Sequence, residues 1–123
     1  MGNFRKGRRK LKTQMDRQRL KSLTEELFGL EGRFKALPGE VDLNFHIDNG
    51  KKAYVLKLTK DRGPEEKEQL NFQNDLLLHL AKEQRSFSFP LPIPNLDGDY
   101  LSTREIDGHI YNIRLLSVKV EES

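Results

Sequence analysis

The stretch Leu43-Asn44-Phe45-His46-Ile47-Asp48-Asn49-Gly50-Lys51-Lys52-Ala53-Tyr54-Val55-Leu56-Lys57-Leu58-Thr59 decides the fold. Two strand-like runs, Leu43–Asp48 and Lys52–Thr59, flank Asn49-Gly50, a pair that accepts the backbone of a tight turn, so the stretch reads as an antiparallel hairpin. Period-two alternation in the second run sets Tyr54, Leu56 and Leu58 on one face and Ala53, Val55, Lys57 and Thr59 on the other. The larger apolar face is expected to pack against a helix, leaving Lys57 to point into a cleft. An ammonium with an apolar residue two positions earlier on its face is a candidate for holding an anion; a surface lysine on an edge face is the alternative.

Upstream, Arg33–Leu37 is a further short strand, joined to Leu43–Asp48 through the turn formers Pro38-Gly39-Glu40. Leu20, Leu23 and Leu27 recur at helical spacing and Gly29 suits a left-handed cap, which predicts a helix from about Thr13 to Phe28. Downstream, Asp61-Arg62-Gly63-Pro64 is a loop, and from Glu65 a second helix aligns Leu70, Gln73, Leu77 and Leu80 on its inward side. Ser86–Pro94 contains Pro90, Pro92 and Pro94 and reads as an extended connector. Asp97-Gly98 and Asp107-Gly108 are hairpin signals around Tyr100–Ile106, and Ile110, Tyr111, Ile113, Leu115 and Leu116 populate a final strand. The order helix, three strands, helix, two strands predicts an α+β domain: a five-stranded antiparallel sheet with one packed helix, preceded by an N-terminal helix.

At 123 residues the chain suits one domain with a modest core. It has no cysteine, which excludes disulfides and thiolate metal sites and fits a reducing compartment, the cytoplasm by default. Apolar runs such as Leu76-Leu77-Leu78 fall far below the roughly 18 residues of a membrane helix, so no membrane partner is expected. The net charge of +3 conceals an asymmetry: residues 1–21 carry nine Lys or Arg against Asp16 alone, a net +8, which leaves −5 on the rest. A basic leader of this kind could dock electrostatically on nucleic acid or an acidic partner. Base stacking needs aromatic platforms, and the leader has none after Phe4, so residues 1–12 are read as a flexible, solvated segment and nucleic acid is not the expected partner. His79 and His109 are isolated, which gives a histidine metal site no support.

Five segments occur together and in order: Leu27-Phe28-Gly29-Leu30, Leu37-Pro38-Gly39-Glu40-Val41-Asp42-Leu43-Asn44-Phe45-His46-Ile47, Tyr54-Val55-Leu56-Lys57, Gln73-Asn74 within a helix, and Tyr111-Asn112-Ile113-Arg114-Leu115-Leu116-Ser117. In that combination the chain resembles the N-terminal lobe of the aminoglycoside phosphotransferase-like small-molecule kinases, most closely the hydroxylysine kinase branch, over about Leu20–Ser117. The resemblance implies a lobe at 13–117 in which the Pro38–Phe45 turn, with Gly39, lies over nucleotide phosphates and Lys57 binds the α- and β-phosphates of ATP, or of GTP in its place. It also implies that Val55 forms part of the adenine wall, with ordinary core packing as the alternative, and that the strand through Leu116 and Ser117 leads into the adenine-binding hinge. Gln73 stands where kinases carry the helix glutamate that pairs with the strand lysine. In the alternative, Gln73 packs at a rim and Glu66 or Glu68 makes the pair. Asp42 and Asn44 either brace the phosphate loop through bonds to its backbone or are plain turn formers.

His46-Ile47-Asp48 is spelled like the start of a kinase catalytic loop, but the Asn required five residues after the Asp is Ala53, and the triplet precedes the lysine strand. In the family, the magnesium ligands and the carboxylate that positions the acceptor belong to a C-terminal lobe. After Ser117 this sequence reads Val118-Lys119-Val120-Glu121-Glu122-Ser123, where relatives carry an aromatic residue and a Gly-containing hinge turn. The expectation is therefore the nucleotide-holding half of a kinase acting on a hydroxyl of hydroxylysine or a related amino alcohol, with little activity of its own. Its exposed cleft face would permit self-association. A non-enzymatic binding module that docks through the basic leader is the competing reading.

Overall fold

The computed structural model describes residues 17–38, 42–83 and 90–118, and the chain divides into two units, Met1–Glu31 and Gly32–Ser123. In the first, helix α1 (Arg17–Phe28) buries Leu20, Leu23, Thr24 and Leu27. Thr24 satisfies its hydroxyl inside the helix by donating to the Leu20 carbonyl at 2.7 Å. The helix stops where Gly29 takes φ 65° and its N–H reaches the Glu25 carbonyl at 2.8 Å, the left-handed cap read from sequence. The predicted helix start at Thr13, the basic leader and the tail after Val118 lie outside the described residues.

The second unit contains β1 (Arg33–Leu37), β2 (Leu43–Asp48), β3 (Ala53–Lys60), α2 (Pro64–Glu83), β4 (Leu91–Ile93), β5 (Ser102–Ile106) and β6 (His109–Val118). All pairings are antiparallel, in the order β1-β2-β3-β6-β4, with β5 also beside β6. Six strands replace the expected five. The extra one, β4, comes from the proline-rich connector: Leu91, Pro92 and Ile93 pair with Ser117, Leu116 and Leu115. Pro92 has no N–H to offer a further neighbour, which an edge position tolerates. Because β5 pairs with residues 109–113 of the same strand, β4 and β5 lie end to end along one side of β6, and the sheet is five positions wide. Residues 94–101 loop out between them, closed by Asn95. Its N–H reaches the Asp99 carbonyl at 2.7 Å, its Oδ1 accepts from the Asp97 and Asp99 N–H groups, and its Nδ2 donates to Ser102 Oγ.

Turn chemistry sets the register. Asp107 (φ 53°) and Gly108 (φ 83°) form a two-residue primed turn between the paired Ile106 and His109. Asn49-Gly50 lies in a wider connection, since Asp48 pairs with Ala53; Asn49 Oδ1 accepts from the N–H groups of Lys51 and Lys52, and Asp48 Oδ1 from that of Gly50. α2 begins with Pro64, where a missing N–H costs nothing, and Glu66 reaches back to the Arg62 N–H at 3.0 Å.

Cross-strand register puts Phe45, Ile47, Leu56, Leu58, Ile113 and Leu115 on one face, all buried. The opposite face carries Asn44, Val55, Lys57, Thr59, Asn112, Arg114 and Leu116. Here the structure corrects the sequence reading: α2 bonds to the sheet on the Lys57 side, through Asn74 and Arg114, not on the large apolar face. The reason lies in β6, which is buried on both faces from Asn112 to Leu116, so its polar side chains need partners from an overlying element.

A Cβ on Gly32 would lie 2.8 Å from the Asp48 carbonyl oxygen and 2.9 Å from Ile47 Cγ2, both on a strand paired on either side. Gly32→Ala is expected to lower stability by about 1–3 kcal/mol, read as a lower urea midpoint at an unchanged m value.

Candidate functional site

Register places the candidate residues in three successive rungs of the Lys57 face. The first is His46, Val55, Leu116 and Pro92, with Leu116 and Pro92 buried. The second is Asn44, Lys57 and Arg114. The third is Thr59, Asn112 and Thr103. An apolar patch thus adjoins a cationic row, which adjoins a buried polar row.

In the cationic row, Lys57 is half-buried and donates from Nζ to Asn44 Oδ1 at 2.9 Å. Arg114, its cross-strand neighbour, is only 5% exposed. Arg114 Nη1 donates to Asn74 Oδ1 at 3.0 Å, and Asn74 Nδ2 in turn donates to the Tyr100 carbonyl at 3.1 Å. The Arg114 Nε is buried with no hydrogen-bond partner. Burial lowers the guanidinium pKa from its usual range, and the negative charge of Asp42 opposes that shift. The side chain stays protonated all the same, because arginine starts far above neutrality. Among the described residues, no carboxylate lies within ion-pair distance of Lys57 or Arg114.

The third rung fixes how α2 leaves the sheet. Asn112 accepts from Thr103 Oγ1 at 3.0 Å and donates from Nδ2 to Asp61 Oδ1 at 3.2 Å. Asp61 also accepts from the Gly63 N–H, immediately before α2, and its own N–H meets the Ile110 carbonyl at 2.8 Å.

Several sequence-predicted residues meet here: Lys57, Asn44, Val55 and Leu116 share the face, and Asp42 acts on Arg114 through its charge. Asn44 binds the lysine head, which is neither loop bracing nor turn formation. Gln73 does not face inward. It is exposed, and the buried amide of α2 is Asn74. Both lie within one turn of Leu70 and half-buried residues flank both, so what distinguishes them is the bond that Asn74 makes to Arg114. Glu66 is occupied at the start of α2 with Arg62, and Glu68 is exposed. Ser117 pairs with Tyr54 and so points away from the Lys57 side. Gly39 lies outside the described residues. Sequence reasoning missed Arg114, Asn74, Asn112 and Asp61 as a group. The available signal was Asn112 and Arg114 alternating with Ile113 and Leu115 in the final strand, two polar residues on one face of a strand otherwise apolar enough to be central.

No protein-family model and no curated protein matches the sequence. Solved structures do. An amicoumacin kinase in complex with AMP-PNP, Ca2+ and Ami aligns at TM-score 0.64 and 17% identity, over 97% of this chain and 34% of its own. A microcompartment-associated aminopropanol kinase aligns at TM-score 0.66 and 13% identity, over 85% of this chain and 32% of its own. A spectinomycin phosphotransferase in complex with ADP and spectinomycin aligns at TM-score 0.58 and 17% identity, over 85% and 30%. At such identities the likeness is one of fold: the chain shares the α+β architecture of part of each of these kinases. It spans about a third of the length of each of these enzymes.

The two neighbouring amides of α2 should behave oppositely. Asn74→Ala strips Arg114 of its partner in a buried setting and is expected to cost about 2–4 kcal/mol in denaturant unfolding. Gln73→Ala should change stability by no more than about 0.5 kcal/mol, and the reverse ranking would put Gln73 inside.

Proposed function

We propose that the Lys57 face holds a nucleoside triphosphate, and that the chain is the nucleotide-binding lobe of a kinase acting on a hydroxyl group of a small molecule. The observation that carries this reading is the adjacency of the two rungs: a cationic row, Asn44-Lys57-Arg114, directly beside an apolar row, Val55-Leu116-Pro92. A nucleotide has the same polarity, with an anionic chain joined to a flat, largely apolar base. Lys57 supplies a compact charge with rotatable donors for phosphate oxygens, held in place by Asn44. Val55 and Leu116 offer the wall for the base, and Ser117, whose side chain faces the other way, would contribute through its backbone.

The donor set of this face fits phosphate and does not fit magnesium, a hard cation that takes oxygen ligands from carboxylates and water. Among the described residues, the charge of Asp42 acts on Arg114. The metal and the acceptor would therefore be held by groups beyond this face, consistent with a chain that covers about a third of each solved kinase. ATP is the preferred nucleotide and GTP the variant to compare. For the acceptor we favour an amino alcohol of the hydroxylysine kind, supported by the five sequence segments and by the amino alcohol named for the aminopropanol kinase.

The reading is tested by titrating the isotope-labelled chain with Mg-AMP-PNP and following amide shifts. Perturbations should centre on Val55, Lys57 and Leu116, and Lys57→Ala should weaken binding by about tenfold or more, the value of a charge-assisted hydrogen bond. Shifts confined to the opposite, Leu56 face, or an unchanged affinity in the variant, would reject it. So would submicromolar affinity, since one wall of a cleft leaves most of a nucleotide in water.

A further inference from the structure

Each cation of the central row is held by an asparagine oxygen: Lys57 by Asn44 at 2.9 Å, and Arg114 by Asn74 at 3.0 Å. An amide oxygen aims a donor as a carboxylate does but brings no net charge, so neither cation is discharged. The two are direct cross-strand neighbours, an arrangement in which like charges repel. No described carboxylate lies within ion-pair range of either, and the charge of Asp42 acts on Arg114 only from beyond that range. Arg114 is 5% exposed and its Nε is buried without a partner. A buried charged donor left unsatisfied is costly enough that a native structure holding one calls for an explanation. A third, anionic group seated on the row would explain the repulsion, the orphan donor and the neutral partners together.

We propose that Arg114 is a second phosphate ligand beside Lys57, and that Asn44 and Asn74 are positioning residues that aim the two cations while leaving their charge for the polyphosphate chain. The proposal rests on the nucleotide reading and adds to it the second cation and the reason for the amides. Adjacent strands set the two stems about 4.8 Å apart, so the heads can engage neighbouring phosphates of one chain. Half-buried Lys57 keeps the row reachable from its side.

The experiment uses the whole 123-residue chain and two probes, sodium tripolyphosphate and adenosine, each titrated by amide shifts against wild type, Lys57→Ala, Asn74→Asp, Asn44→Asp and Arg114→Gln, with thermal midpoints recorded for every protein. Asn74→Asp keeps the arginine and gives it a carboxylate partner while giving up the bond to the Tyr100 carbonyl, so with the thermal midpoint confirming a folded protein, tripolyphosphate affinity should fall by about tenfold or more and the adenosine response should be unchanged. Asn44→Asp should act likewise on Lys57, and Arg114→Gln, where folded, should lose as much affinity. If Arg114 merely latches α2, Asn74→Asp and Arg114→Gln will bind tripolyphosphate as wild type does while Lys57→Ala does not. That outcome overturns the proposal and leaves the nucleotide reading standing. A wild-type chain that responds to neither probe overturns both.

Discussion

A guanidinium inside a central strand is the constraint on which the second unit depends. Arg114 lies between Ile113 and Leu115 in the part of β6 that is buried on both faces, and such a charge must be hydrogen-bonded where it sits. The bond comes from Asn74, which fixes where the middle of α2 can lie over the sheet. Asn74 spends its own N–H on the Tyr100 carbonyl, so one chain of bonds joins β6, the helix and the loop that precedes β5. Asp61 makes the matching tie at the start of the helix, through Asn112 and Gly63. Helix propensity alone would leave α2 free to slide. Two polar anchors remove that freedom.

This arrangement changes how the lysine is controlled. In kinase-type folds an ion pair between the strand lysine and a helix glutamate couples helix position to nucleotide contact. Here the helix grips the neighbouring strand, and the lysine is oriented within the sheet by Asn44 of β2. Helix placement and lysine placement thus rest on separate side-chain bonds.

The elements that the sequence made legible are those decided by local chemistry. The Gly29 cap, the Asp107-Gly108 turn and the alternation of β3 depend on backbone conformations and periodicities that single residues announce. Lys57, Asn44, Val55 and Leu116 come together because register follows from those turns. What stayed hidden needed non-local information. The Leu91–Ile93 strand exists because β6 offers an unpaired edge beyond the end of β5, and three prolines in the connector concealed it. Gln73 and Asn74 differ by one helical step, and the partners that meet Asn74, Arg114 and the Tyr100 carbonyl, decide which one faces the sheet. That Arg114 would need Asn74 could not be read from either segment alone, since the two are 40 positions apart.

The divided edge of the sheet bears on how the protein behaves in a crowded solution. An uninterrupted outer strand is a template for cross-β stacking. On one side the template is cut in two by the 94–101 loop, and its first piece contains Pro92, which can donate nothing. On the other, β1 is five residues long and presents exposed Arg33 and Lys35. Both borders are short or interrupted, which leaves a second copy little uninterrupted length to zip onto.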